Sequence, residues 1–195
     1  MRPLLVTALL LCAFRAAAVD ADSTRRFGLY AVQQFGMAFG EKGNSFVLNM
    51  SGGVAYKNRL KAGIGAAFNM NYVRTMPLYV DLRYEPFRSK VRPVVFAAGG
   101  LNVFPTYSAN GDVFYYYNDE IVKRQVGTYA EAGIGFKTKL AGNVYYNTSF
   151  GYIYKKSRYV RKGQERWENG MWVIGVDEPT TVENYMFAIR AGLDF

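Results

Sequence analysis

Apolar side chains recur at every second position over segments of roughly ten residues along most of this sequence. The last segment is the clearest. One of its faces is formed by Tyr185, Phe187, Ile189, Ala191, Leu193 and Phe195, and the other by Asn184, Met186, Ala188, Arg190, Gly192 and Asp194. Because successive side chains of a strand point to opposite sides, this period of two indicates a strand with one apolar face. A chain built largely of such strands must fold as a sheet whose edges are closed or covered.

Eight segments with this alternation follow one another along the chain. They cover residues 27–39, 46–56, 60–70, 78–84, 92–104, 126–137, 144–154 and 184–195. The first is the least regular, because Gln33 and Gln34 interrupt it. In the fifth, we expect Val95, Ala97 and Leu101 to face outward. Helical periodicity is hard to find, so the pattern predicts an all-β fold.

The links between these segments differ in length. Those at residues 57–59, 86–90 and 140–143 are short, whereas those at residues 105–123 and 155–181 are long, polar and rich in aromatic residues. Bacterial outer-membrane barrels have short periplasmic turns, longer external loops and an even number of strands. Two further links that should be external, at residues 41–44 and 74–76, are short. We therefore predict a single transmembrane antiparallel up-and-down β-barrel of eight strands with two long external loops.

The beginning of the chain has the composition of a secretory signal peptide. Arg2 precedes an apolar run at residues 4–14, and three alanines at residues 16–18 offer small side chains for cleavage. The apolar run is shorter than the roughly 20 residues that a membrane-spanning helix needs. The predicted organisation is a cleaved signal peptide at residues 1–18 and one barrel domain at residues 19–195.

Cys12 is the only cysteine, so the mature chain has none that could form a disulfide. Lipid attachment at Cys12 is an alternative, but Leu11 stands where lipoprotein signals carry a small residue. An exported chain without disulfides needs a sizeable core or a closed sheet in a membrane. The 16 Tyr, 14 Phe and 20 Gly favour the sheet, because aromatic girdles, strands and tight turns use these residues.

The chain is basic, and its net charge falls from +9 to +7 once Arg2 and Arg15 leave with the signal peptide. Nucleic acid is one partner for such a charge, but export argues against it. We expect the anionic neighbours to be outer-membrane lipid and the phosphates of lipopolysaccharide.

Three segments carry a resemblance to a known family: residues 76–84 (MPLYVDLRY), 90–100 (KVRPVVFAAGG) and 188–195 (AIRAGLDF). They resemble the small outer-membrane β-barrel proteins common in the Bacteroidetes, which are related in architecture to the transmembrane part of OmpA. The resemblance extends from Lys57 to the end of the chain and is one of pattern. It implies a barrel in the outer membrane of a Gram-negative bacterium, and it implies no ligand and no activity.

The resemblance also implies a role for the end of the chain. An aromatic last residue preceded by apolar residues at every second place resembles the signal that the barrel-assembly machinery recognises. The positions that match are Phe187, Ile189, Ala191, Leu193 and Phe195.

The sequence contains no histidine. Ser-His triads and His-assisted hydrolysis need an imidazole to accept and return a proton. Barrel phospholipases, lipid A deacylases, palmitoyltransferases and barrel proteases resemble one another in relying on such a residue, so we do not expect an enzyme. Without His or mature Cys, a metal site would need carboxylates. Asp112, Asp119 and Glu120 in the third loop could bind calcium, but a solvated surface is favoured, and we predict no metal and no cofactor.

Charged residues fall on the inner face of several predicted strands. They are Lys61, Asp81, Arg83, Glu131, Lys137 and Arg190. An eight-stranded barrel is just wide enough for side chains to fill it, so these charges must pair. We expect Glu131 to pair with Arg190 or Lys61, and Asp81 with Arg83, Lys61 or a neighbour. The favoured interpretation is a salt-bridged plug, and the alternative is a narrow ion path.

The fourth loop combines basic and aromatic residues. The candidates for contact with anions or glycans are Lys155, Lys156, Arg158, Arg161, Lys162, Arg166 and Trp167. Cations interleaved with aromatic rings bind such ligands through charge and stacking. The favoured alternative is that Tyr152, Tyr154 and Tyr159 belong to an aromatic girdle while the lysines neutralise lipopolysaccharide.

Together these patterns predict a structural or surface-interaction barrel that serves adhesion, host contact or envelope stability, through an extracellular ligand that the sequence does not name. The first alternative is a narrow porin-like channel for small solutes or ions. A soluble lipocalin-like barrel is disfavoured, because its large apolar residues would face the centre.

Overall fold

The computed structural model describes residues 26–57, 59–70, 75–87, 89–103, 121–161, 166–168, 171–173 and 177–195. Its strands are β1 (Phe27–Gly40), β2 (Gly43–Tyr56), β3 (Leu60–Met70), β4 (Met76–Tyr84), β5 (Val91–Val103), β6 (Ile121–Ala141), β7 (Val144–Arg161), β8 (Arg166–Glu168), β9 (Met171–Val173) and β10 (Glu178–Asp194). No described residue belongs to a helix that is long and apolar enough to cross a membrane. The predicted signal peptide at residues 1–18 lies outside the described residues.

Eight of these strands close into an antiparallel barrel in the order β1-β10-β7-β6-β5-β4-β3-β2. The seam joins the first strand to the last, from Val32 opposite Asp194 to Gly40 opposite Met186. Beyond it, Ala31 and Phe195 exchange two backbone hydrogen bonds of 3.3 and 2.9 Å. The predicted eight-stranded antiparallel barrel is therefore confirmed. The short strands β8 and β9 form a separate two-stranded sheet.

Two ends of the barrel can be distinguished. The turns after β2, β4 and β6 lie with both ends of the barrel chain at what we call the turn end, and the connections after β1, β3, β5 and β7 lie at the opposite, loop end. Lys57 and Gly142 both have a φ of 50°. This left-handed conformation suits the tight turns after β2 and β6.

The outer face of the barrel is apolar and the inner face is mixed. Leu29 is 72% exposed and Ile64 74% exposed, whereas Val47 on an inner face is completely buried. The fifth strand follows the predicted orientation, with Val95, Ala97 and Leu101 exposed. A water-soluble barrel would place such side chains inside, so this distribution suits a lipid environment.

The first strand is continuous, although an interruption at Gln33 and Gln34 was expected. Gln34 points into the lumen and donates a hydrogen bond of 2.9 Å to Ser149 Oγ. Its amide is satisfied there, so a polar residue at this inward position costs the strand little. Gln33 lies on the outer face and is half-buried.

The strands β6, β7 and β10 continue beyond their neighbours at the loop end. β7 reaches Arg161, which pairs with Ile121 of β6 and Glu178 of β10. We call residues 121–125, 155–161 and 178–184 the strand extension. On β6 its register shifts between Ile121 and Lys123 and between Gln125 and Thr128, and β10 carries Pro179 within it.

The predicted fourth loop at residues 155–181 was therefore too long. Residues 155–161 are strand, and residues 178–181 belong to β10. The alternation of large apolar residues ends before these strands do, because backbone pairing needs no apolar face and continues. The third loop was also drawn too long, because residues 121–123 already belong to β6.

Candidate functional site in the barrel lumen

The lumen at the turn end contains four buried charges that we call the lower cluster: Lys61, Glu85, Lys137 and Asp194. Lys61 Nζ lies 2.7 Å from Asp194 Oδ1 and 3.1 Å from Glu85 Oε1. Lys137 Nζ lies 2.5 Å from Glu85 Oε1 and 3.4 Å from Asp194 Oδ2. Each cation thus contacts both anions, and the four formal charges cancel. Arg92, at the rim, has its Nη1 4.0 Å from Glu85 Oε2.

Strand topology brings the lower cluster together. Lys61 is the second residue of β3, Lys137 stands near the end of β6, and Asp194 is the last residue of β10. Glu85 follows β4 directly, and its N–H donates a 2.8 Å hydrogen bond to Arg59 O in the turn before β3. All four positions are therefore at the turn end, facing one another across the lumen.

Toward the loop end lies a second group of charges, the middle cluster: Asp81, Arg83, Glu131 and Arg190. Arg83 Nε donates a 2.7 Å hydrogen bond to Asp81 Oδ2. Arg190 binds both carboxylate oxygens of Glu131, with Nη1 at 3.1 Å from Oε2 and Nη2 on Oε1. A bidentate arginine–carboxylate pair is among the stronger polar contacts in proteins.

Neutral side chains add hydrogen bonds to the two carboxylates of the middle cluster. Tyr30 and Ser51 donate to Asp81 Oδ2 at 3.1 and 2.9 Å, and Tyr129 donates to Glu131 Oε2 at 2.5 Å. The ring of Phe96 lies between the two ion pairs, with the guanidinium carbons of Arg83 and Arg190 at 5.7 and 5.5 Å from its centroid. These distances are within range for a cation–π contact on both arginines.

Gly151 on β7 makes room for the middle cluster. A Cβ there would lie 2.7 Å from Glu131 Oε1 and 3.1 Å from Arg190 Nη2. Any side chain at this position would press on the ion pair. The small residue is therefore explained by the space that the bidentate pair occupies.

An apolar layer covers the middle cluster on its loop side. The rings of Tyr79 and Tyr129 stack there with centroids 5.5 Å apart. They belong to one buried cluster with Ala38, Val47, Ala67, Ile153, Met186 and Ala188. From the turn end toward the loop end, the lumen thus contains the lower cluster, the middle cluster and the apolar layer.

Above the apolar layer the lumen becomes polar again. Lys155 is directed inward and is only 3% exposed. Asn102 Nδ2 donates hydrogen bonds of 3.0 Å to Ser157 Oγ and 3.2 Å to Lys156 O. The side chain of Asn102 on β5 reaches β7 by passing over β6 at Gly127. Gly127 is the register partner of Asn102 and has no side chain to obstruct it.

The six lumen charges named from the sequence are all buried. Glu131 pairs with Arg190 and Asp81 with Arg83, which were among the partners expected for them. Sequence reasoning missed the part that Glu85 and Asp194 play in the lower cluster. The alternation of inward and outward side chains along each strand could have identified both residues. Glu85 is the next inward position after Asp81 and Arg83, and Asp194 has the same inward orientation as Arg190.

The residues proposed as an assembly signal lie on the outer face of β10. Phe187 is 48% and Ile189 42% exposed, and the Phe187 ring stacks on Phe150 at 6.5 Å. Ala191, Leu193 and Phe195 are half-buried on the same face. Their position says nothing of recognition by an assembly factor, which stays a prediction.

The basic residues assigned to the fourth loop are divided between different surroundings. Lys155 lies in the lumen, not on the surface, because its parity on β7 is that of Ile153. Lys156 faces outward and pairs with Glu183 at 2.7 Å, and this hydrogen bond lowers the pKa of Glu183. Arg158 is exposed. Arg161 ends β7, while Arg166 and Trp167 belong to β8.

Some of the named residues cannot be placed. Lys162 and the calcium candidates Asp112, Asp119 and Glu120 lie outside the described residues. Within the described part of the chain, no three His, Cys, Asp or Glu side chains are grouped so as to hold a metal ion.

An aromatic group marks the outer surface just below the strand extension. Tyr185 lies 5.2 Å from Tyr154 and 6.4 Å from Tyr152, measured between ring centroids. Amphipathic rings at this height are typical of the girdle at a membrane interface. The placement of Tyr159 in this girdle was wrong: Tyr159 is only 6% exposed, because it is on the same inward face of β7 as Lys155.

Comparison with solved structures gives similar barrels of low sequence identity. The crystal structure of Neisserial surface protein A matches with a TM-score of 0.54 at 18% identity, over 87% of this chain and 96% of that chain. The outer membrane protein OprG from Pseudomonas aeruginosa matches with a TM-score of 0.50 at 12% identity, over 89% of this chain and 98% of that one. No protein-family model and no curated protein sequence matches. The likeness is one of fold.

Proposed function

We propose that this protein spans the outer membrane of a Gram-negative bacterium as a sealed barrel and presents its loop end to the outside. The observation that carries the proposal is the combination of an apolar outer face with a lumen filled by paired charges. The apolar face suits lipid, and outer-membrane proteins have the same fold. The closer likeness to Bacteroidetes and OmpA-type barrels, and recognition by the barrel-assembly machinery, belong to this proposal as predictions.

A sealed lumen is favoured over a narrow channel by the energy of the ion pairs. Removing one partner of a buried pair leaves an uncompensated charge and costs about 3–5 kcal/mol. A permeating ion would have to separate contacts in the lower cluster and the middle cluster, and then pass the Tyr79–Tyr129 stack. Each of the three levels therefore adds a barrier, and steady ion flow through the lumen is not expected.

We expect planar-bilayer recordings of the purified protein to show no steady conductance. The same sample should run on unboiled gels as a compact species that changes mobility when boiled, which ensures that the inserted protein is folded. Steady, ion-selective conductance from such a sample would contradict the plug and favour the porin-like channel. Recovery in the soluble fraction, with equal migration before and after boiling, would contradict the membrane barrel itself.

The surface role follows from what stands at the loop end. The strand extension raises Lys156 and Arg158 on its outward face beyond the tyrosine group formed by Tyr152, Tyr154 and Tyr185. Cations at this height are suited to the phosphates of lipopolysaccharide. We therefore assign the protein a structural or surface-interaction role in adhesion, host contact or envelope stability, without enzymatic activity.

Trypsin added to intact cells tests the topology. We expect the first cuts to follow Lys162 or Arg166, because Lys155, Lys156 and Arg158 lie in a strand with partners on both sides. Mass spectrometry of the released fragments identifies the sites. Cuts confined to the turns at residues 57–59 and 88–90 would place the turn end outside and contradict the proposed orientation.

A further inference from the structure

Lys155 differs from the other buried cations of the described lumen. Lys61, Lys137, Arg83 and Arg190 each contact a carboxylate. Lys155 is 97% buried, and its Nζ has no hydrogen-bond partner among the described residues. An ammonium in such a position is costly unless an anion compensates it.

The groups around Lys155 can complete an anion site. Asn184 is its cross-strand neighbour on β10, and Asn184 Oδ1 has no hydrogen-bond partner among the described residues. Turning this amide by 180° would place its two N–H groups where Oδ1 now lies. Ser157, two residues along the same face of β7, accepts a hydrogen bond from Asn102 and keeps its own hydroxyl hydrogen for another acceptor.

The position of Lys155 fixes the direction from which an anion would arrive. Tyr129, its neighbour on β6, belongs to the apolar layer that closes the lumen toward the turn end. An anion would therefore have to arrive from the loop end. The flexible four-carbon stem of lysine lets the ammonium turn toward an anion that enters there.

We propose that the loop end of the lumen binds a small oxyanion of one negative charge, with Lys155 as its counter-charge and Ser157 and Asn184 as hydrogen-bonding partners. The single charge follows from the formal balance of the lower and middle clusters, which leaves one ammonium to compensate. Acetate is a suitable probe of this site, because one ammonium and neutral donors suit a monoanionic carboxylate. The proposal concerns the lumen alone and holds whatever the role of the external surface.

The test measures the temperature at which half of the compact gel species converts to the unfolded one in detergent micelles. Acetate replaces chloride at constant ionic strength. For the wild type we expect a rise that grows with the logarithm of the acetate concentration above the Kd and reaches about 5 °C at about a hundred times the Kd, because ligand binding stabilises the folded state. In Lys155→Met the rise should disappear, while the variant without acetate should be at least as stable as the wild type.

Lys156→Met is the matched control, since it removes a lysine from the opposite face of the same strand. It should keep the full acetate response. Absence of a response in the wild type overturns the proposal, as does an equal response in Lys155→Met. A Lys155→Met variant that is less stable than the wild type in chloride also overturns it, because the ammonium would then have a partner within the protein.

Discussion

Replacing Glu131 with alanine is expected to lower the free energy of unfolding by about 3–5 kcal/mol, because the change leaves the Arg190 guanidinium buried without its carboxylate. Arg190 is 2% exposed and binds both oxygens of Glu131. Tyr129 would lose the acceptor of its hydroxyl as well. Urea titration of the barrel in detergent micelles, followed by tryptophan fluorescence, measures the change.

Two further variants show whether the stranded charge causes the loss. Ile189 lies on the outer face of β10, next to Arg190. Ile189→Leu keeps the side-chain volume and should change the free energy of unfolding by less than about 1.5 kcal/mol. Glu131→Met combined with Arg190→Met removes both charges and should recover at least half of the loss, since buried ion pairs are often replaceable by apolar residues. A double variant as unstable as Glu131→Ala would show that packing, not charge, determines the effect.

The second large effect is expected at the end of the chain. Deletion of Phe195, or Phe195→Asp, should lower the amount of folded protein in the outer membrane several-fold. The aromatic terminus is the proposed assembly signal, and the Phe195 backbone also forms the last two hydrogen bonds of the seam, to Ala31. Quantifying the heat-modifiable species in outer-membrane fractions gives the result.

The two substitutions separate these contributions. Phe195→Asp keeps the backbone pair with Ala31 and replaces the aromatic side chain with a charged one, whereas deletion removes both the side chain and the backbone pair. Equal losses assign the effect to the side chain, and a larger loss on deletion assigns part of it to seam closure. Phe114→Asp in the third loop is the control, and a folded yield as low as that of Phe195→Asp would refute the assembly signal.

The strands and their faces could be predicted from the sequence because lipid imposes a strict rule on them. Every second residue of a membrane strand faces hydrocarbon, and the exposed Ile64, Leu82 and Phe187 follow that rule. The rule does not apply to strand residues that lie beyond the lipid. The continuation of β7 to Arg161 and the early start of β6 at Ile121 depend on backbone pairing, which leaves no apolar signature.

The lumen could be predicted only in outline. The alternation of side chains placed Lys61, Glu131 and Arg190 inside, since the inward positions of a strand follow from its outward ones. Partners depend on the stagger between strands, which no single segment encodes, so the contact of Lys61 with Glu85 and Asp194 could not be derived. Lys155 was assigned to an external loop because the apolar alternation weakens beyond Tyr154.

The strand extension also affects whether copies of the protein pair with one another through their strand edges. A sheet that stands free of its neighbours exposes unpaired peptide groups, and these can template the addition of strands from adjacent molecules into fibrils. Pro179 lacks the N–H that such growth needs, and the register shifts of β6 bend its peptide groups out of line. Both features hinder strand-by-strand polymerisation, which favours separate molecules.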